Sequence, residues 1–159
     1  MMKECAKNGI DIIYSKLLGL HIEIDYNTAS LSIRFLKPGE EHIEKKTLDT
    51  TFELERYFEG EVIEFSSDLD ISHLSPFEQK VLVETKKIKY GRTITYSQLA
   101  KKIDCGGARA VGNGLGRNPI PIIIPCHRIV AKNGIGGYSA GIDIKKRLLE
   151  FETRNVNNL

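Results

Sequence analysis

The chain has 159 residues, 41% hydrophobic and 28% charged, with a formal net charge of +2, a composition that fits one globular domain or two small lobes around a real core. No apolar run approaches the roughly 20 residues that span a bilayer, and the N-terminal MMKECAKNG lacks the apolar stretch of a secretory signal, so a cytoplasmic protein with no membrane partner is expected. Three widely spaced cysteines, Cys5, Cys105 and Cys126, argue against a disulfide framework.

Along the chain, LHIEIDY (Leu20–Tyr26) alternates apolar and polar residues, LSIRF (Leu31–Phe35) does so again, and NTAS between them suits a hairpin turn. Leu48, Phe52, Glu55 and Phe58 then recur near the helical period, with Gly60 as a stop. These elements predict a small α/β lobe, a β-sheet plus a helix, over residues 1–73, with SSDLDISHL as the linker leaving it.

Residues 74–159 predict a second, mainly α lobe. SPFE (Ser75–Glu78) supplies Ser at N-cap, Pro at N1 and Glu at N3 of a helix whose apolar face is Phe77, Val81, Leu82 and Ile88. TYSQ (Thr95–Gln98) repeats the capping pattern ahead of LAKKI, and after DCGG comes ARAVGNGLGR, Ala108–Arg117. Two short helices about a tight glycine turn are a helix-turn-helix, and the lobe is expected to be winged-helix-like. Gly112, Gly114 and Gly116 each cost about 1 kcal/mol against Ala inside that helix. They imply close backbone approach, by a neighbouring helix or by a nucleic-acid backbone, and helix packing is the plainer explanation.

Pro119, Pro121 and Pro125 remove three backbone donors in seven residues, which predicts an extended segment able to form at most a sheet edge. KNGIGGYSAG follows as a flexible loop, and a last helix is expected from about Asp143 to Glu152. Ile144, Leu148 and Phe151 face inward on it, and Glu152 shares their stripe, so it is a buried carboxylate that needs a partner.

Charge is divided between the lobes. Residues 1–73 carry eight Lys/Arg against 15 Asp/Glu, and residues 74–159 carry 15 against six. No carboxylate lies between Cys105 and Ile142, where Arg109, Arg117, Arg128 and Lys132 fall. A polyanion would be drawn to that half, although two differing solvated faces explain charge alone equally well.

Within IPIIIPCHRIV, Cys126 stands beside His127. A structural zinc site needs four ligands; the C-terminal lobe offers only Cys105, Cys126 and His127, while Cys5, His21, His42 and His73 follow no recognised spacing. No CxxC is present for redox exchange, so neither metal nor cofactor is expected. An inert, packed cysteine remains open. Against it, the basic, carboxylate-free surroundings should lower the thiol pKa and favour thiolate. Adjacent residues of an extended segment point apart, so His127 needs a bend or a bridging water to serve the sulfur. It also needs an orienting group, and Glu152 is the available acid.

PCHRI preceded by NPIPIII, with TYSQLA and ARAVGNGLGRN upstream and YSAG…KKRLLEFE downstream, resembles the O6-alkylguanine-DNA alkyltransferase family over Ser75 to Glu152. The resemblance implies a monomeric, single-turnover repair protein acting on O6-alkylguanine in double-stranded DNA. The recognition helix enters the minor groove, and the damaged nucleotide is flipped out of the stack. By the same resemblance Cys126 accepts the alkyl group, His127 is a water-mediated base, Glu152 orients it, and Tyr96 supplies a proton to the leaving guanine. Tyr138, Ser139, Asn118 and Pro121 are implied around the base, Asn118 as a hinge. Ala108, Arg109, Gly112, Arg117 and Arg128 are implied at the DNA, with Arg109 as the finger that fills the gap and Arg128 also as a structural tie. Ala140 stands where the family often has glycine. A lesion binder without transfer chemistry and a helix-turn-helix regulator are the alternatives.

Overall fold

The computed structural model describes residues 8–27 and 30–159. Cys5, and Thr28 and Ala29 of the NTAS turn, lie outside the described residues.

Both predicted strands form, as β2 (Leu20–Tyr26) and β3 (Leu31–Phe35), but a strand that the alternation did not announce precedes them, β1 (Gly9–Ser15). The three make an antiparallel sheet in the order β1-β2-β3, with Ile13 opposite Ile22 and Ile24 opposite Ile33. The buried face of β1 carries Asp11 and Ser15 beside Ile13, while Ile10 and Tyr14 are exposed. Polar residues inward and apolar ones outward erase the usual signal.

Asp11 is buried because it does a helix cap's work at a distance. Its carboxylate accepts from the Thr47 amide (2.6 Å), the Leu48 amide (3.0 Å) and the Thr51 hydroxyl (2.7 Å). It also accepts from the Thr47 hydroxyl at 2.7 Å. Burial alone would raise this carboxyl, yet these donors hold it below its usual range. They satisfy the start of α1 (Asp49–Phe58), whose own N-cap, Leu48, has no side chain to offer. The buried face of α1 is Thr50, Thr51, Leu54 and Tyr57, not the stripe through Phe52, which is 48% exposed. Gly60, at φ +99°, ends the helix as expected.

The second half contains α2 (Pro76–Lys86), β4 (Ile94–Thr95), α3 (Tyr96–Lys102), α4 (Ala108–Leu115), a 3-10 turn over Cys126–Arg128, β5 (Ile129–Val130) and α5 (Ile142–Asn157). Both capping boxes form, Ser75 with Glu78 and Thr95 with Gln98. Val81 and Leu82 are fully buried on α2, and Phe77 is turned partly outward. A Cβ on Gly114 would meet Val81 Cγ2 at 3.1 Å, so α4 packs tightly on α2 at that glycine. Gly112 has more room, with Tyr96 Cε1 at 3.8 Å.

The proline segment departs from expectation. It is extended only at its entry, where the Ile33 amide donates to the Pro119 carbonyl at 2.9 Å along the sheet edge. It then closes on itself, with the Ile124 amide bonded to the Ile120 carbonyl at 3.0 Å and Ile122 at φ +74°. Its isoleucines explain the turn. Ile120, Ile122 and Ile123 join the core beneath the sheet with Ile13, Ile22, Leu54, Tyr57 and Leu148. Ile124 instead joins the core of the helical half with Val81, Leu82, Leu99, Val111 and Ile129. One straight strand cannot feed both, and burying four isoleucines, about 1.5–3 kcal/mol apiece, outweighs one strained residue.

Candidate active site

Asn118 organises the end of the proline segment. Its Nδ2 donates to the Ile124 carbonyl (2.9 Å) and to Cys126 Sγ (3.2 Å), and its Oδ1 accepts from the Ile120 amide (3.0 Å). The 3-10 turn that follows supplies the bend that an adjacent Cys and His require, and both side chains are buried. Parallel pairing of β4 with β5, Ile94 with Ile129 and Thr95 with Val130, ties this turn to the start of α3 and so to Tyr96.

The expectation of an acidified thiol fails. Cys126 is 8% exposed, and burial pushes its pKa up despite contributions from Asn118, Tyr138 and Lys145. The cations that surround it in sequence are elsewhere in space: Arg109, Arg117 and Lys132 are exposed, and Arg128 is committed to Glu152. The Tyr138 hydroxyl lies buried against the same sulfur without a hydrogen bond of ordinary geometry.

Glu152 is the hub. It is 1% exposed, and its Oε1 accepts from His127 Nε2 (2.8 Å), Arg128 Nη2 (2.9 Å) and the Tyr57 hydroxyl (2.8 Å). Its Oε2 accepts from Arg128 Nε (2.9 Å) and the Gly91 amide (3.1 Å). Burial alone would raise Glu152, but His127 and Arg128 outweigh it and bring the carboxyl down to about 2. An ionised acceptor fixes the imidazole tautomer: Nε2 carries the hydrogen, and Nδ1, buried and without a partner, presents its lone pair. Burial keeps this imidazole below its ordinary pKa and therefore neutral. Arg128, expected at the DNA, is turned inward; it holds Glu152 bidentately, donates to the Ile88 carbonyl (2.6 Å) and lies over the Tyr90 ring. The structural tie is the role its geometry supports.

Tyr96 and the glycine loop form the other wall. The Tyr96 hydroxyl donates to the Gly137 carbonyl at 3.2 Å, and a Cβ on Gly136 would strike the Tyr96 ring at 2.7 Å. Lys145 was not foreseen. It is buried, with Nζ donating to the Ile129 carbonyl, to the Gly137 carbonyl (3.0 Å) and to the Tyr96 hydroxyl (3.5 Å). No carboxylate pairs with it among the described residues, and burial lowers it to about 8. Positions 145, 148 and 152 share one helical face, so phase alone could have found it. Ser139 is exposed in the turn that ends with the Gly141 amide on the Tyr138 carbonyl (3.0 Å), and Pro121 is half-buried within the proline segment. On α4, Ala108 and Arg109 are exposed and Gly112 is half-buried; Arg117, beyond its end, is exposed 3.8 Å from Glu78. Among the described residues no three His, Cys, Asp or Glu side chains converge as a metal site, and no helix is long and apolar enough to cross a membrane.

Residues 76–154 match the family described as 6-O-methylguanine DNA methyltransferase, DNA binding domain. A methylated-DNA–protein-cysteine methyltransferase of Sulfolobus acidocaldarius is 40% identical over 111 residues, 70% of either chain. The chain is a member of the O6-methylguanine-DNA methyltransferase family. A relative of the same name from Methanocaldococcus vulcanius is 56% identical over 80 residues, so the matched part spans about half of that relative's length (49%). In three dimensions, Mycobacterium tuberculosis OGT solved in complex with DNA has 33% identity and a TM-score of 0.78, over 92% of this chain and 93% of its own. The fold is therefore the methyltransferase fold throughout, including the sheet-bearing half that the family match leaves out. Of the residues around Glu152, only Tyr57 falls outside the matched segment.

Proposed function

We propose that the protein repairs O6-alkylguanine in double-stranded DNA by moving the alkyl group irreversibly to Cys126, once per molecule. One observation carries this reading: behind the Cys126 turn, a neutral His127 is locked by an ionised, buried Glu152 at 2.8 Å, with its second nitrogen unsatisfied. A buried thiol of raised pKa attacks little by itself, so it needs a base that acts during the reaction.

In this reading His127 Nδ1 takes the thiol proton through a bridging water, and the sulfur attacks the alkyl carbon. The carbon–oxygen bond breaks, and its electron pair stays on guanine. Tyr96 gives the departing guanine a proton, with Lys145 beside its hydroxyl as the nearest cationic donor. The product is a thioether with no route back to thiol, which matches the lack of any need for a cofactor. Residues 74–159 act as the DNA-binding and acceptor domain and residues 1–73 as a supporting lobe. Ala108, Arg109, Gly112 and Arg117 meet the duplex, Arg109 occupies the gap left by the flipped base, and Tyr138, Ser139, Asn118 and Pro121 surround that base. That the similar Mycobacterium tuberculosis OGT was solved in complex with DNA supports DNA as the partner. Work as a monomer in the cytoplasm completes the proposal.

The test is intact mass before and after exposure to duplex DNA carrying O6-methylguanine. A gain of one methylene unit, confined to the peptide holding Cys126 and lost in Cys126→Ala with DNA affinity kept, is the expected result. Tight lesion binding without a mass change in the wild type would instead identify a damage sensor.

A further inference from the structure

Three groups besides His127 hold Glu152, the Arg128 guanidinium, the Gly91 amide and the Tyr57 hydroxyl, and the last comes from the other half of the chain. Tyr57 sits in the last turn of α1, is 1% exposed, and gives its only donor to Oε1, the same oxygen that accepts the His127 Nε2 hydrogen. Its placement is well determined. The ring packs edge-on against Tyr90 (5.8 Å between centroids) and Phe151 (6.0 Å), and α1 is anchored to the sheet through the four bonds to Asp11. A core tyrosine needs only some acceptor for its hydroxyl, and any backbone carbonyl serves.

Resting on the alkyl-transfer reading, we propose that Tyr57 is a positioning residue for the reaction: its hydroxyl shares Oε1 with His127, moderates that oxygen's pull on the imidazole, and so keeps Nδ1 free to receive the thiol proton. The sheet-bearing lobe then has a direct part in the chemistry. A carboxylate oxygen already accepting from Tyr57 and Arg128 is a weaker partner for an imidazolium than a bare one. Arg128 and Lys145 disfavour the imidazolium, and Glu152 favours it. Tyr90, beside Tyr57, has its own hydroxyl bonded by Asn155 at 2.9 Å. Without the Tyr57 hydroxyl, Oε1 draws harder on Nε2, the protonated ring is favoured, and the base is blocked at a higher pH.

The experiment is Tyr57→Phe, which keeps the ring, assayed as single-turnover transfer from O6-methylguanine duplex across about pH 5 to 9, the range in which an imidazole titrates. The acid limb of the rate profile should move up by about one pH unit, the order expected for losing one hydrogen bond to a charged group. Duplex affinity should stay within about twofold, far less than the tenfold that 1.4 kcal/mol represents. In a Glu152→Gln background the same substitution should move nothing further. An unmoved acid limb, or losses that simply add in the double variant, overturns the proposal. Should Tyr57→Phe fail to fold, the wild type decides: the Tyr57 Cζ resonance must move as His127 titrates, and a silent resonance overturns it. A wild type that never methylates Cys126 sinks the underlying reading; a working wild type with an indifferent Tyr57→Phe sinks this inference alone.

Discussion

In the proposed transfer, Lys145 serves the chemistry at some cost to the fold. Its ammonium has three acceptors and, among the described residues, no carboxylate partner, and burial brings it down to about 8. Isolated buried cations stabilise little, and apolar replacements of similar length often fold as well. Lys145→Met should therefore keep Tm within a few degrees, the carbonyls left without a donor offsetting the relief of an unpaired charge. The same change strips the cation from the Tyr96 hydroxyl, so single-turnover transfer at neutral pH should fall roughly tenfold, about 1.4 kcal/mol of barrier. A Tm drop that accounts for the whole loss of rate, measured by calorimetry beside stopped-flow, would assign Lys145 to stability alone.

Among the elements, what was legible depended on how local the signal was. Both capping boxes were readable because donor and acceptor lie three residues apart, and β2 and β3 were readable because one face of each is apolar. β1 was not, since its buried face carries Asp11 to serve a helix whose N-cap, Leu48, lies 37 residues away. The same limit governs the site. Cys126, His127 and Glu152 could be joined from phase and chemistry. The thiol's acidity could not, because cations adjacent in sequence point to other surfaces, and Tyr57 reaches Glu152 across 95 residues. The glycines of α4 separate packing from recognition. Gly114→Ala puts a methyl against Val81 at 3.1 Å and should destabilise by about 1–3 kcal/mol, the range for overpacking. Gly112→Ala meets only ordinary contact and should stabilise by up to about 1 kcal/mol through helix propensity, while weakening duplex binding. Urea melts and binding isotherms on the two variants check both statements.

For the molecule as a whole, Glu152 links the two halves and sets how acid unfolds them. Its folded pKa of about 2 lies below its ordinary 4.5, so the stability it contributes is present above about pH 4.5 and drains away as pH falls toward 2. His127, held below its ordinary value by burial, adds an earlier loss: an unfolded chain takes up that proton as pH drops through about 6.5 and the native one does not. Each group contributes up to about 1.4 kcal/mol per pH unit inside its window. Glu152→Gln should remove the lower window while costing roughly 3 kcal/mol or more at neutral pH, because Arg128 is left buried without its counter-ion; urea melts across pH read both. The depth of the Cys126 sulfur matters in a different way. Under the proposed transfer, a protein discarded after one reaction cannot let its single shot be taken by a stray oxidant or a passing electrophile, and a sulfur that stays protonated and 8% exposed is a poor target for either. Concealment thus keeps each copy unspent until a damaged base is delivered to it.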